Sequence, residues 1–215
     1  MIKINDEILL GRAKEGDKAA FEEFYQRYKG QIFTYIYRFV NNYQVAEELT
    51  QETFINAYTH LDSYSPKGKP LAWIYAIASN LSKNTLKNKR LRSEVSLDAP
   101  MEVKEGQLNM LDVLENFKEK PDTTIRGKEL ASKIKDAFDA LPAAHKQVLL
   151  LCDVQGHTYQ GVAYILGCKL STVGSRLFRA RKKIAKKLAM IYKEKPRKIS
   201  KWKDVSFLRK DYPST

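Results

Sequence analysis

The chain has 215 residues, 43% of them hydrophobic, with only 10 glycines and 7 prolines, a composition suited to packed helical cores. Its formal net charge of +13 points to polyanionic partners, and no stretch approaches the roughly 20 apolar residues that a membrane span needs. The segment Met1 to Glu7 lacks a signal peptide's basic start, long apolar run and small-residue cleavage site, so the expected compartment is the cytoplasm. Cys152 and Cys168 form no CxxC pair, and His60, His145 and His157 are scattered. The expectation is two buried free thiols, no metal and no cofactor.

In chain order, Asp6 to Lys14 reads as a short helix closed by Gly16, a residue suited to the left-handed position after a helix end. Asp17 offers an N-cap for a second helix with Phe21, Phe24, Tyr25 and Tyr28 on one face. Gly30 is expected to interrupt it, with Ile32 to Val40 continuing as a further helix. From Tyr43 to Leu61 a longer helix turns Ala46, Leu49, Thr53, Ala57 and Leu61 inward and Glu47, Glu48, Gln51, Glu52 and Asn56 outward. After a loop from Ser63, Pro70 opens a helix that buries Leu71, Ile74, Ala78 and Leu81. Its other face carries Asn80, Lys83, Asn84 and Lys87 at i, i+3, i+4, i+7.

Periodicity then fades, and residues 93–128 read as a flexible acidic linker with one short helical turn around Leu108 to Phe117. The charge divides along the chain. Residues 1–92 hold 14 Lys/Arg against 10 Asp/Glu, residues 93–130 hold 5 against 9, and residues 131–215 hold 19 against 6. With no strand-like alternation, the fold class is all-α: two helical domains, 1–92 and 129–192, joined by the linker. A basic tail follows at 193–215, with Trp202, Phe207, Leu208 and Tyr212 among 8 Lys/Arg; it reads as disordered.

The C-terminal domain carries the clearest pattern. Ile134 to Leu141 and Ala143 to Cys152 read as helices, Thr158 caps a short helix to Leu166, and Ser171 caps a long one ending near Tyr192. Ala163, Gly167 and Val173 supply the small contact residue, the turn glycine and the locking aliphatic of a helix-turn-helix. Val173, Leu177, Ala180, Ile184 and Leu188 form the buried stripe of the last helix. Opposite them stand Ser171, Thr172, Ser175, Arg176 and Arg179, at the end that enters a major groove in such motifs. Arginine can pair bidentately with guanine, while the run Arg179, Arg181, Lys182, Lys183, Lys186 and Lys187 suits phosphates. No nucleophile–base pair or phosphate-cradling glycine loop is present, so no catalytic residue is assigned and the chain is read as a non-enzyme.

The run from Leu141-Pro142 through Leu188, including "GHTYQGVAYILGCKLSTVGSRLFRARKKI", resembles the −35-binding domain of sigma-70 family initiation factors, most nearly the small extracytoplasmic-function (ECF) class. "VAEELTQETFINAY" (Val45–Tyr58) and "LAWIYAIASNLSKN" (Leu71–Asn84) resemble that class's other domain, in the same order. The resemblance implies an alternative sigma factor whose partners are RNA polymerase core, through its clamp helices and flap, and promoter DNA. An anti-sigma factor is a candidate further partner, and no membrane insertion is expected. It implies that Glu47, Glu48, Gln51 and Glu52 dock on the clamp helices, and that Asn80, Lys83, Asn84 and Lys87 meet the −10 strand. Tyr64, Trp73 and Tyr75 become candidate stacking platforms for bases, although all three, Trp73 above all, also suit a core. Lys169, Ser171, Thr172, Ser175, Arg176, Arg179, Arg181 and Lys183 would serve the −35 element.

Three positions depart from the family pattern. Gln160 and Gly161 stand where an acidic residue is common, and Gly174 where a longer, often basic, side chain is usual; each glycine costs about 1 kcal/mol relative to Ala. The rival readings are a stand-alone helix-turn-helix regulator and a polymerase-binding regulator without promoter specificity.

Overall fold

The computed structural model describes residues 4–65, 69–95 and 135–192. Every regular element among them is helical. They belong to two compact units: Met1–Glu102 with Gln160–Cys168, and Val103–Tyr159 with Lys169–Thr215. The linker's centre, its expected turn at Leu108 to Phe117 and the tail lie outside the described residues.

In the first unit, α1 (Asp6–Lys14) starts where Asn5 accepts the Glu7 N–H at 3.0 Å. Gly16, at φ 95°, ends it in the left-handed region that only glycine enters without strain. Asp17 caps α2 (Lys18–Val40) by accepting the Ala20 N–H at 3.1 Å. The Arg12 guanidinium on its other oxygen, and that N–H, hold the Asp17 carboxyl below its ordinary pKa.

Contrary to the sequence expectation, α2 runs unbroken through Gly30. Tyr28 and Ile32 on either side are buried, and anchoring both outweighs a glycine's cost of about 1 kcal/mol. The helix ends instead at Asn41, whose φ of 52° is left-handed, and Asn42 caps α3 (Tyr43–Thr59) by accepting the Val45 N–H at 2.9 Å. A 3-10 turn, Leu61–Ser63, replaces the expected last turn of that helix.

α4 (Pro70–Val95) packs on α1, α2 and α3. Phe24, Tyr35, Ile36, Ile74 and Tyr75 fill its core. Tyr35 meets Tyr75 edge-on at 5.3 Å, and its hydroxyl bonds Ser79 at 2.8 Å, tying α2 to α4. Thr53 faces inward as expected, with its hydroxyl donated to the Leu49 carbonyl at 2.6 Å. Arg27 and the Tyr28 hydroxyl both bond Asp6 and secure α1 against α2.

In the second unit, helical residues 135–139 (α5) precede α6 (Ala143–Leu149). Instead of ending regularly near Cys152, α6 widens into a π turn, Leu150–Val154, where Gln155 N–H reaches back to the Leu150 carbonyl at 2.9 Å. α6 packs on α8 (Leu170–Tyr192). Val148, Leu150, Leu151, Val173, Leu177 and Ala180 are buried. The stretch Gln160–Cys168 groups with the first unit; in it α7 (Tyr159–Ile165) ends in the turn at Gly167, φ 57°, where Cys168 N–H returns to the Ala163 carbonyl at 3.0 Å. Helix, left-handed glycine and helix follow in the expected order.

Candidate functional site

Along α3 the buried phase holds Ala46, Leu49, Thr53 and Ala57, so Glu47, Glu48, Gln51 and Glu52 all reach solvent. Ile55 stands among these polar residues, 63% exposed. Beside it opens a groove of about 400 Å³, lined by Phe21 and Tyr25 of α2 and by Gln51, Phe54, Ile55 and Tyr58 of α3. Tyr25 meets Phe54 edge-on at 4.9 Å, and Phe21 lies 5.0 Å from Tyr58. The face is thus apolar at its centre and acidic at its rim. The sequence reading found the rim and missed the centre. The available signal was Ile55 itself, an aliphatic residue out of phase with the buried stripe.

On α4, Asn80, Lys83, Asn84 and Lys87 are all exposed on the face opposite Ile74 and Ala78. Two amides and two ammonium groups form one polar stripe. The candidate stacking aromatics need correction. Tyr64 is 4% exposed, Trp73 8% and Tyr75 1%. Tyr64 packs against Trp73 at 5.2 Å, and Lys14 donates to the Tyr64 carbonyl at 2.7 Å. Burial also pushes the Tyr64 hydroxyl pKa up. An enclosed ring offers no face to a base, so Tyr64 belongs to the core.

On α8 the residues expected to serve the −35 element differ in exposure. Lys169, Ser171, Ser175, Arg179 and Lys183 are exposed, with Thr172 and Arg176 half-buried beside them. Ser171 lies one residue inside the helix rather than at its cap, and the Lys169 carbonyl accepts the Thr172 and Val173 N–H groups at 2.9 and 3.2 Å. Arg181 departs from the set. Its side chain turns to Asp153 on the π turn and donates through Nε at 2.9 Å and through a terminal nitrogen. Both partners are largely shielded, at 27% and 14% side-chain exposure, so Arg181 fastens α8 to the unit instead of presenting itself to DNA.

Phe178, 63% exposed between Leu177 and Arg179, was not singled out in the sequence, yet helical spacing places it beside Ser175 and Lys182. His145 on α6 is half-buried, with its Nδ1 fully enclosed and without a hydrogen-bond partner. Burial first, then Lys183, Arg179 and Arg176, hold its pKa below the ordinary value. The cysteines are free and half-buried rather than fully buried, and burial raises the Cys152 thiol to about 12. Among the described residues no cluster of three His, Cys, Asp or Glu could hold a metal, and no helix is long and apolar enough to cross a membrane.

Residues 24–92 match the model of Sigma-70 region 2, and residues 131–184 match that of Sigma-70, region 4. The RNA polymerase sigma-H factor of Pseudomonas aeruginosa is 32% identical over 192 residues, spanning 88% of this chain and 96% of that one. The ECF RNA polymerase sigma-E factor of Haemophilus influenzae is 30% identical, spanning 86% of this chain and 96% of that one. Among solved structures, CnrH in complex with the cytosolic domain of CnrY shares the fold with a TM-score of 0.61 and 19% identity, covering 86% of this chain and 97% of that one. The sigma factor RpoE of Bartonella quintana, in complex with the anti-sigma factor NepR, gives 0.58 and 20%, covering 78% and 96%. With a region 2 match, a region 4 match and full-length relatives in agreement, the chain belongs to the ECF class of the sigma-70 family: it is an alternative sigma factor, which directs RNA polymerase to promoters in transcription initiation.

Proposed function

We propose a division of labour in which residues 1–92 bind polymerase core and the −10 strand, residues 93–128 link, and residues 129–192 bind the −35 duplex. The α3 face docks on the clamp helices. Glu47, Glu48, Gln51 and Glu52 steer a basic partner, while Ile55 and the adjoining groove supply the apolar anchor that carries most of the affinity in interfaces of this kind. The flap is the expected contact of the second domain.

The polar stripe of α4 receives the separated −10 strand and so assists melting. Asn80 and Asn84 read base edges, and Lys83 and Lys87 hold phosphates. On α8, Arg176 reads guanine, and Ser171, Thr172 and Ser175 bond bases or phosphates. Phe178 meets a thymine methyl, while Lys169, Arg179 and Lys183 hold the backbone. Chemistry stays with the polymerase, and the site of action is the cytoplasm. Because the sigma factor RpoE of Bartonella quintana is held by the anti-sigma factor NepR, an anti-sigma factor is the regulator to seek.

The observation that carries this reading is the presence, on one chain, of an acidic-rimmed apolar face in the region 2 match and a basic recognition face in the region 4 match. The test is co-elution of the purified protein with bacterial polymerase core, in competition with the housekeeping sigma factor. Mutually exclusive binding is expected. Arg176→Ala should then lose roughly ten-fold or more in promoter-specific initiation while core binding is retained, since a bidentate base contact contributes about 1–3 kcal/mol of discrimination. Unchanged transcription from a defined promoter removes Arg176 from that role.

A further inference from the structure

His145 is a half-buried histidine in cationic company. It sits on α6, which packs on α8, and the charged groups of α8 that act on it are Arg176, Arg179 and Lys183. Its neighbour Lys146 turns away, donating to Asp139 of α5 at 3.1 Å. No hydrogen bond joins the imidazole to a carboxylate among the described residues. A buried polar atom without a partner calls for an explanation. With Nδ1 enclosed, a proton there would be an N–H donor deprived of water and of any acceptor, whereas a bare lone pair costs less. The ring therefore carries its proton on Nε2, the nitrogen that is not enclosed. The three cations disfavour a second proton.

We propose that His145 is a further DNA-binding residue, a neutral Nε2–H donor from α6 to a backbone phosphate of the duplex engaged by α8. The proposal rests on the −35 reading above and extends it to a second helix. A neutral donor has a signature that a cation lacks. Losing a lysine or arginine contact flattens the dependence of log K on log salt by about 0.9, because counterion release is lost. Losing a neutral donor weakens binding equally at every salt concentration.

The experiment titrates promoter duplex with holoenzyme reconstituted from core and the full-length protein, over a salt series. The variants are His145→Ala, His145→Gln, Arg179→Ala and Arg176→Ala. His145→Ala should bind about ten-fold more weakly or worse with an unchanged slope, as expected for one hydrogen bond from a neutral donor to a charged phosphate. His145→Gln, which keeps an N–H donor, should recover most of that loss, and Arg179→Ala should lose slope. Three results overturn the proposal: no effect of His145→Ala, a slope lowered as in Arg179→Ala, or no recovery in His145→Gln with helicity intact. If Arg176→Ala loses promoter preference while His145→Ala does nothing, only the His145 role fails. If neither has an effect, the −35 reading fails with it.

Discussion

Burial changes what individual side chains can do in this protein. His157 follows the π turn, its backbone N–H bonded to the Leu151 carbonyl, and desolvation lowers its pKa from 6.5 to about 4. The folded state therefore holds the ring neutral where the unfolded chain would protonate it. Between about pH 6.5 and pH 4 the unfolded state binds more protons, so stability falls as the pH drops through that window and levels off below it. Urea midpoints measured from pH 7.5 to pH 4 should show this decline, and His157→Gln should flatten it. Identical profiles for the two proteins would assign the acid sensitivity elsewhere. Tyr64 and Arg181 teach the same lesson. Each has the right chemistry for nucleic acid, yet one is enclosed against Trp73 and the other is spent on Asp153.

At the scale of elements, α2 and α3 carry predictions of opposite kinds. An ideal Cβ at Gly30 would meet nothing within 4 Å, and the helix is regular there. Gly30→Ala should stabilise the first unit by up to about 1 kcal/mol, raising the melting temperature by about 4–8 °C. A lowered melting temperature would mean that the backbone at Gly30 needs its freedom. Ile55 on α3 supports no core, being 63% exposed, so Ile55→Ala should leave the fold intact. It should weaken core binding about ten-fold or more if it anchors the docking face, measured by competition with the housekeeping sigma factor. Unchanged competition would return the docking role to the acidic rim alone.

At the scale of the whole molecule, charge separates along the chain. Residues 131–215 carry 19 Lys/Arg against 6 Asp/Glu, while the exposed rim of α3 is acidic. Removing two cations from the recognition face, in Arg179→Ala with Lys183→Ala, should reduce the salt slope of promoter binding by about 1.8 and leave core binding unchanged. A slope that does not move would place those residues away from phosphate.

Composition, helical periodicity and capping residues suffice to read the all-helical class, the order of helices, the caps at Asp17 and Gly16, and the polar faces of α3, α4 and α8. These are local properties, set by neighbours within one turn and by which stripe of a helix must leave water. Four things required the tertiary structure. Gly30 lies within a continuous helix, because Tyr28 and Ile32 are anchored on both sides. Ile55 and the α2 aromatics form one groove, because α2 and α3 pack together. Tyr64 is lost to the core, and Asp153 meets Arg181 across 28 positions of chain. Pattern tells which residues want burial or water, but only packing decides which partner each one finds and what remains free to bind.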